Sequence, residues 1–181
     1  MSKHLVVSPN EAADRLAIRE LVEAYAHCAD RRDANFAVYL PFYTSCSTSF
    51  VDDIDVVDRP IRLFHGTADD AAPIAPCRSH VERLQKAGKD VDLTECAGAH
   101  HAFDSPGTPV RRSQSQGRGH CLLNEDPVGR IVNRDTGLPL TATDACIGRG
   151  ATLGYDARAH TKAIDDVKAL LQRVFKLEPV R

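Results

Sequence analysis

Two segments of the chain carry an acid and histidines at a spacing that suits proton transfer: IRLFHGTADDAAP (61–73) and AGAHHAFD (97–104). The first segment begins with a run of strand-like composition, IRLFHG (61–66). The second segment follows another such run, VDLTEC (91–96). The carboxyl ends of parallel strands meet at one edge of a sheet, so residues that follow the two strands should lie together there. A carboxylate beside an imidazole orients the ring and strengthens it as a proton acceptor. The sequence therefore predicts an acid–base pair at this edge.

The elements that would position this pair alternate between strand and helix over residues 36–104, which is typical of a layered α/β domain with parallel strands. FAVYLPFY (36–43) has the composition of a buried strand, in which Pro41 marks an end or an irregularity. A helix is predicted over APCRSHVERLQKA (75–87), with Gly88 as its C-terminal cap. We therefore expect an α/β fold with about three parallel strands and flanking helices. In hydrolase triads on such sheets, the nucleophile comes first in the chain, the acid second and the histidine last. The acid also precedes the histidine here.

The N-terminal segment predicts a further helix, over residues 9–33. Ser8 can cap this helix, Pro9 suits its first turn, and apolar residues recur at helical spacing along one face. The expected organisation is an N-terminal helical segment (1–34) followed by the α/β domain (35–181).

Residues 105–155 lose the periodicity of the preceding segments and are rich in Gly, Ser, Pro and Arg at their start. This stretch is expected to be an irregular extension, either disordered or tied down covalently. A final helix is predicted from near Asp156 through Leu177, because Ala163, Leu170 and similar residues share one face.

Composition and charge exclude several classes of partner. Lys+Arg total 23 against 25 Asp+Glu, so the basic surface expected of a nucleic-acid binder or of an anionic-membrane binder is missing. No apolar stretch reaches about 18 residues, and the patch before Pro9 is too short for a signal-peptide core. We expect a cytoplasmic protein with no nucleic-acid partner, no membrane partner and no cofactor.

The cysteines and the other histidines admit several interpretations. None of the six cysteines forms a CxxC motif, which gives a zinc site little support, and spacing alone does not choose among the possible disulfides. Cys46 follows a predicted strand at the same edge as Asp69, so it is a candidate nucleophile, although a disulfide or a buried thiol is the simpler interpretation. His100, His101 and Asp69 are possible metal ligands, but adjacent histidines on an extended loop point in opposite directions. His65, at a strand end, is expected to be a packed core residue.

From about residue 36 to the C-terminus the sequence resembles the dienelactone hydrolase family. FAVYLPFYTSC (36–46), IRLFHGTADDAAPIAPC (61–77) and LTECAGAHHAFD (93–104) are similar to the strand before the acid, the acid loop and the histidine loop of these enzymes. The resemblance implies a hydrolase of small-molecule esters or lactones with an α/β-hydrolase fold. By motif position it assigns the catalytic acid to Asp69 and the catalytic base to His101.

The chain departs from this family at the nucleophile. It contains neither G-x-S-x-G nor G-x-C-x-G, the strand-to-helix turn that carries the catalytic Ser or Cys. In place of the family's leading strands, residues 14–33 resemble the opening helix of SnoaL-like proteins. We therefore expect a truncated α/β-hydrolase fold that retains only the acid and the histidine and is inactive alone. The alternative is a non-catalytic pseudoenzyme, or a fragment that binds a carboxylate-bearing small molecule or a partner chain, including a second copy of itself, through its exposed sheet edge.

The segment NEDPVGRIVNRDTGLPLTATDACIGRGATLGYDARA (124–159) resembles an extension carried by one branch of the same family. In that branch two cysteines bracket the corresponding stretch. The resemblance thus implies a disulfide between Cys121 and Cys146.

Overall fold

The computed structural model describes residues 36–117 and 120–177. The predicted helix over 9–33, Cys28 and the SnoaL-like stretch lie outside these residues. The elements follow in the order β1 (Thr48–Ser49), β2 (Ile61–Gly66), α1 (Ala75–Lys86), β3 (Val91–Cys96), β4 (Val110–Gly117), β5 (Leu123–Glu125), β6 (Ile131–Asn133), β7 (Gly148–Leu153) and α2 (Ala157–Phe175). Neither of these helices is long and apolar enough to cross a membrane.

Strands β2 and β3 are parallel and in continuous register, from Ile61 opposite Val91 to Gly66 opposite Cys96. Residues 39–43 run parallel to the other side of β2 but form only two isolated bridges. Pro41 explains the interruption, because it lies where a regular ladder needs an N–H to donate to β2, and proline has none. The hydrogen bonds on either side of it are present, from Tyr39 N–H to the Pro60 carbonyl and from Tyr43 N–H to the Phe64 carbonyl. The α/β arrangement of three parallel segments is as predicted, with the first reduced to bridges.

The two helices cover opposite faces of this sheet. Successive strand residues point to opposite faces, so Leu63 packs with α1 and Phe64 packs with α2. The α1 core contains Leu63, Cys77, Val81, Leu84 and Val91. The α2 core contains Phe64, Cys96, Ala99, Phe103, Ala159 and Ala163. The sheet is thus buried on both faces, which accounts for the continuous apolar run in β2.

Both helix ends are fixed by capping groups. At the end of α1, the N–H groups of Gly88 and Lys89 donate to the carbonyls of Gln85 and Leu84, and Gly88 takes the left-handed conformation that this cap requires. At the start of α2, the Asp156 carboxylate accepts hydrogen bonds from the N–H groups of Arg158 and Ala159.

The prediction that residues 105–155 form an irregular extension was wrong. They contain two antiparallel pairs: β4 with β7, and β5 with β6, the latter joined by β1 in parallel to β5. Sequence periodicity missed these strands because VRRSQSQG and GRGATL lack the apolar alternation of a half-buried strand. Contacts with the rest of the domain hold them.

Candidate functional site

The acid loop follows β2 and fixes Asp69 in a buried position. Asp69 is 5% exposed, and its Oδ1 accepts hydrogen bonds from the N–H groups of Ala71 and Ala72 at 2.9 and 2.8 Å. These local bonds are the kind by which an aspartate closes a turn on its own backbone. They occupy one carboxylate oxygen and leave Oδ2 for a partner from elsewhere in the chain.

That partner is His101, which follows β3 and is 32 residues away in sequence. Its Nδ1 lies 2.9 Å from Oδ2 of Asp69. A carboxylate only accepts hydrogen bonds, so this contact places the proton of the neutral ring on Nδ1 and leaves the Nε2 lone pair free. The His101 side chain is 27% exposed, and no hydrogen bond to Nε2 is formed within the described part of the chain. The pair is therefore a buried acid joined to an accessible base.

Close backbone contact between the two loops brings the pair together. The N–H of Ala68 donates to the Ala99 carbonyl at 3.0 Å, and the N–H of Gly98 donates to the Thr67 hydroxyl at 2.8 Å. A Cβ atom at Gly66 would overlap the carbonyl of Ala99. Only glycine therefore permits this approach of the strand end to the histidine loop.

The two other histidines near Asp69 bind backbone carbonyls. His65 is fully buried, as expected for a core residue, and its Nε2 donates to the Ala72 carbonyl at 2.6 Å. The same Nε2 lies 3.5 Å from Oδ2 of Asp69. His100 donates from Nδ1 to the Ala68 carbonyl at 2.8 Å, so its ring faces a different group from that of His101. In the described ranges, no three His, Cys, Asp or Glu side chains are arranged to hold a metal ion.

Tyr43 is a site residue that sequence analysis missed. Its ring lies against that of His101, with centroids 4.6 Å apart, and also contacts Phe103 edge-on. Burial, together with the charge and the hydrogen bond of the Asp104 carboxylate, raises the pKa of Tyr43 to about 12. Tyr43 also has a φ of +36°, rare for an aromatic residue and a form of strain that concentrates at functional sites. The available signal was its place as the last residue of the predicted strand 36–43, at the predicted edge.

Four cysteines of the described residues form two disulfides. Cys46 forms a disulfide with Cys77, so its sulfur is not a free nucleophile in this structure. Cys121 forms a disulfide with Cys146, with Cα atoms 4.8 Å apart. Cys96 is the free cysteine of the described residues, and burial raises its thiol pKa.

The two loops lie within the part of the chain that a known family matches. The dienelactone hydrolase family model matches residues 24–175, which includes both. No curated protein matches the chain. Among solved structures, a propionate-bound thermophilic esterase from the planctomycete Thermogutta terrifontis is similar at 20% identity with a TM-score of 0.36. That match covers 68% of this chain and 28% of the esterase chain, so this chain spans well under half of the esterase.

Proposed function

The chain belongs to the dienelactone hydrolase family, and from this premise we propose that Asp69 and His101 are the acid and the base of a site that hydrolyses small-molecule esters or lactones. The observation that carries the proposal is the 2.9 Å contact between Oδ2 of Asp69 and Nδ1 of His101. It joins a carboxylate with no exposed side-chain surface to an imidazole with 27% exposed. This is the arrangement needed for a base that must reach a substrate while its partner stays dry.

In the proposed reaction, Nε2 of His101 removes the proton of a nucleophile as that nucleophile attacks the ester carbonyl. The ring is then an imidazolium, and the negative charge of Asp69 stabilises it across the Nδ1 hydrogen bond. The same proton next passes from Nε2 to the leaving alkoxide, which releases the alcohol or opens the lactone ring. Asp69 keeps the ring in the tautomer that performs both transfers.

The nucleophile is the part that this sequence does not supply. It has no G-x-S-x-G or G-x-C-x-G turn, and Cys46 is bound to Cys77. We propose that the chain alone accumulates no acyl intermediate, because acylation requires a nucleophile within reach of His101. With p-nitrophenyl acetate, the expected result is therefore no burst of nitrophenol. A burst equal to the protein concentration would contradict this part of the proposal.

The base can be tested without a nucleophile. Diethyl pyrocarbonate acylates the unprotonated nitrogen of accessible histidines, and a carboxylate on Nδ1 makes Nε2 a better nucleophile. We expect Asp69→Asn to slow the modification of His101 at neutral pH, as measured by peptide mapping, and to leave His120 unchanged. Equal rates at His101 in both proteins would contradict the acid–base assignment.

A second candidate function is partner binding through the sheet edge at residues 38–42. Within the described residues, the N–H groups of Val38, Leu40 and Phe42 make no backbone hydrogen bond, whereas those of Tyr39 and Tyr43 donate to the Pro60 and Phe64 carbonyls. An unpaired strand edge can pair with another strand. We propose that such pairing joins two copies of this chain. Sedimentation should then give a concentration-dependent dimer that Leu40→Pro abolishes, whereas a monomer at all concentrations would exclude it.

A further inference from the structure

Asp70, the neighbour of the acid, binds a different part of the chain. Its Oδ1 accepts the backbone N–H of Thr152 at 2.6 Å. Its Oδ2 accepts the Thr152 hydroxyl at 3.1 Å and Nη1 of Arg111 at 3.0 Å. Partial burial works against ionisation, but the hydrogen bonds from Thr152 and Arg111 outweigh it and hold the pKa of Asp70 below its ordinary value. The acid loop is thus attached to both strands of the antiparallel pair β4–β7.

The end of β7 reaches the histidine loop directly after Thr152. Leu153 forms a parallel bridge with His101, and the N–H of Gly154 donates to the His101 carbonyl at 3.0 Å. Two residues on, the N–H of Asp156 donates to the Phe103 carbonyl at 2.9 Å. Three consecutive residues, 152–154, therefore contact the neighbour of the acid and the backbone of the base.

The histidine loop depends on such contacts. Ala102, next to His101, has a φ of +58°, a left-handed conformation that is unfavourable for a residue with a side chain. A backbone in this region persists only where its surroundings impose it. On either side of Ala102, the carbonyls of His101 and Phe103 accept the hydrogen bonds from the segment after β7.

The approach of the chain after β7 to the histidine loop also depends on Gly154. Gly154 has a φ of +155°, and a Cβ atom there would overlap Pro109, which precedes β4. The chain therefore passes between the His101 backbone and Pro109 in a space that admits only glycine. β4 and β7 pair antiparallel, with Val110 opposite Leu153 and Gly117 opposite Gly148, and the register shifts between Arg112 and Gln116.

We propose that the antiparallel pair β4–β7 is a positioning arm for the Asp69–His101 pair, and that Asp70 is the positioning residue that fastens it. Asp70 holds Thr152, and the segment from Leu153 to Asp156 holds the backbone on both sides of Ala102. The arm sets the His101 ring at hydrogen-bond distance from Asp69. This inference rests on the proposed function, because it concerns the geometry of the same pair.

The test uses the full chain and the variants Asp70→Ala and Arg111→Gln. The matched control is Asp90→Ala, which also removes an exposed carboxylate that pairs with an arginine, here Arg62. The first readout is hydrogen exchange of the Gly154 amide, and the second is the rate of His101 modification by diethyl pyrocarbonate. A merely structural role for Asp70 would alter overall stability without a selective effect on either.

We expect Asp70→Ala to lower the protection of the Gly154 amide by about tenfold and to slow modification of His101. Arg111→Gln should change both readouts in the same direction but by a smaller amount, because Thr152 still binds Asp70. Asp90→Ala should change neither readout. If Asp70→Ala leaves both at the wild-type value while Asp69→Asn slows His101 modification, the positioning arm is refuted and the acid–base pair stands. If Asp69→Asn also has no effect, the proposed function itself fails.

Discussion

The ring of Tyr43 packs on the ring of His101, with centroids 4.6 Å apart and planes inclined by 57°. Tyr43 ends the parallel segment 39–43 and His101 follows β3, so the two residues meet at the carboxyl edge of the sheet, where Oδ2 of Asp69 accepts a hydrogen bond from Nδ1 of His101. His101 is thus fixed by the hydrogen bond that it donates to Asp69 and by an aromatic contact. Rings at this separation attract one another beyond the area that they bury.

The raised pKa of Tyr43 predicts a defined loss of stability at high pH. Tyr43 ionises near pH 12 in the folded protein and near pH 10 in the unfolded chain, so the unfolded state releases its proton first. The free energy of unfolding should therefore fall as the pH rises from about 10 to about 12, and Tyr43→Phe should lack this component. Ultraviolet titration of the two proteins should show that wild type has one more phenol than Tyr43→Phe, and that this phenol ionises near pH 12. If the phenol of Tyr43 instead ionises near pH 10, the effect ascribed to burial and to Asp104 is contradicted.

Substitution at Gly66 should separate the two loops. In Gly66→Ala the new methyl group meets the Ala99 carbonyl, which should destabilise the protein by about 1–3 kcal/mol and lengthen the Asp69–His101 contact. Gly88→Ala is the control: Gly88 has a φ of +77° with open space around it, so its replacement should cost about 1 kcal/mol without changing the site. Urea unfolding measures the first effect, and the chemical shifts of His101 measure the second. Equal His101 shifts in Gly66→Ala and wild type would show that the approach at Gly66 does not position the pair.

The sequence predicts the parallel part of the fold because its signals are local. β2 and β3 come from runs of strand length and composition, and Gly88, predicted as the C-terminal cap, follows the end of α1 at Lys86 and takes the left-handed conformation of that cap. The proximity of Asp69 and His101 follows from those elements alone, since both residues lie just past parallel strands. Pro41 predicts an end or an irregularity in the first strand, and it interrupts the ladder with β2 at the place where its missing N–H would donate.

The extension could not be predicted in this way. β4 and β7 are polar and glycine-rich, and they are ordered by side-chain contacts with residues far away in sequence, such as Asp70 with Thr152 at a separation of 82. Tyr43 was missed for a related reason. Its left-handed backbone and its contact with His101 depend on how the two loops meet, which no pattern within FAVYLPFY encodes.

The disulfide between Cys121 and Cys146 should stabilise the extension. It closes a loop across a sequence separation of 25, for which the chain-entropy model gives about 3 kcal/mol. The double variant Cys121→Ala with Cys146→Ala should lower the free energy of unfolding by about that amount, as measured by urea unfolding. In the wild type, peptide mapping after alkylation of unreduced, denatured protein should find Cys96 alkylated and Cys121 and Cys146 unmodified. Alkylation of both members of the pair would show that the bond is not formed in solution.

The central claim is that Asp69 orients His101 as a base, and the tautomer of His101 tests it most directly. In two-bond ¹H–¹⁵N correlation spectra at a pH where the ring is neutral, we predict that His101 carries its proton on Nδ1, with Nε2 unprotonated. His101→Asn identifies the signal. Asp69→Asn replaces the carboxylate with an amide, so the proton of the neutral His101 ring should move from Nδ1 toward Nε2. A wild-type His101 protonated on Nε2, or one whose tautomer is unchanged in Asp69→Asn, would contradict the claim.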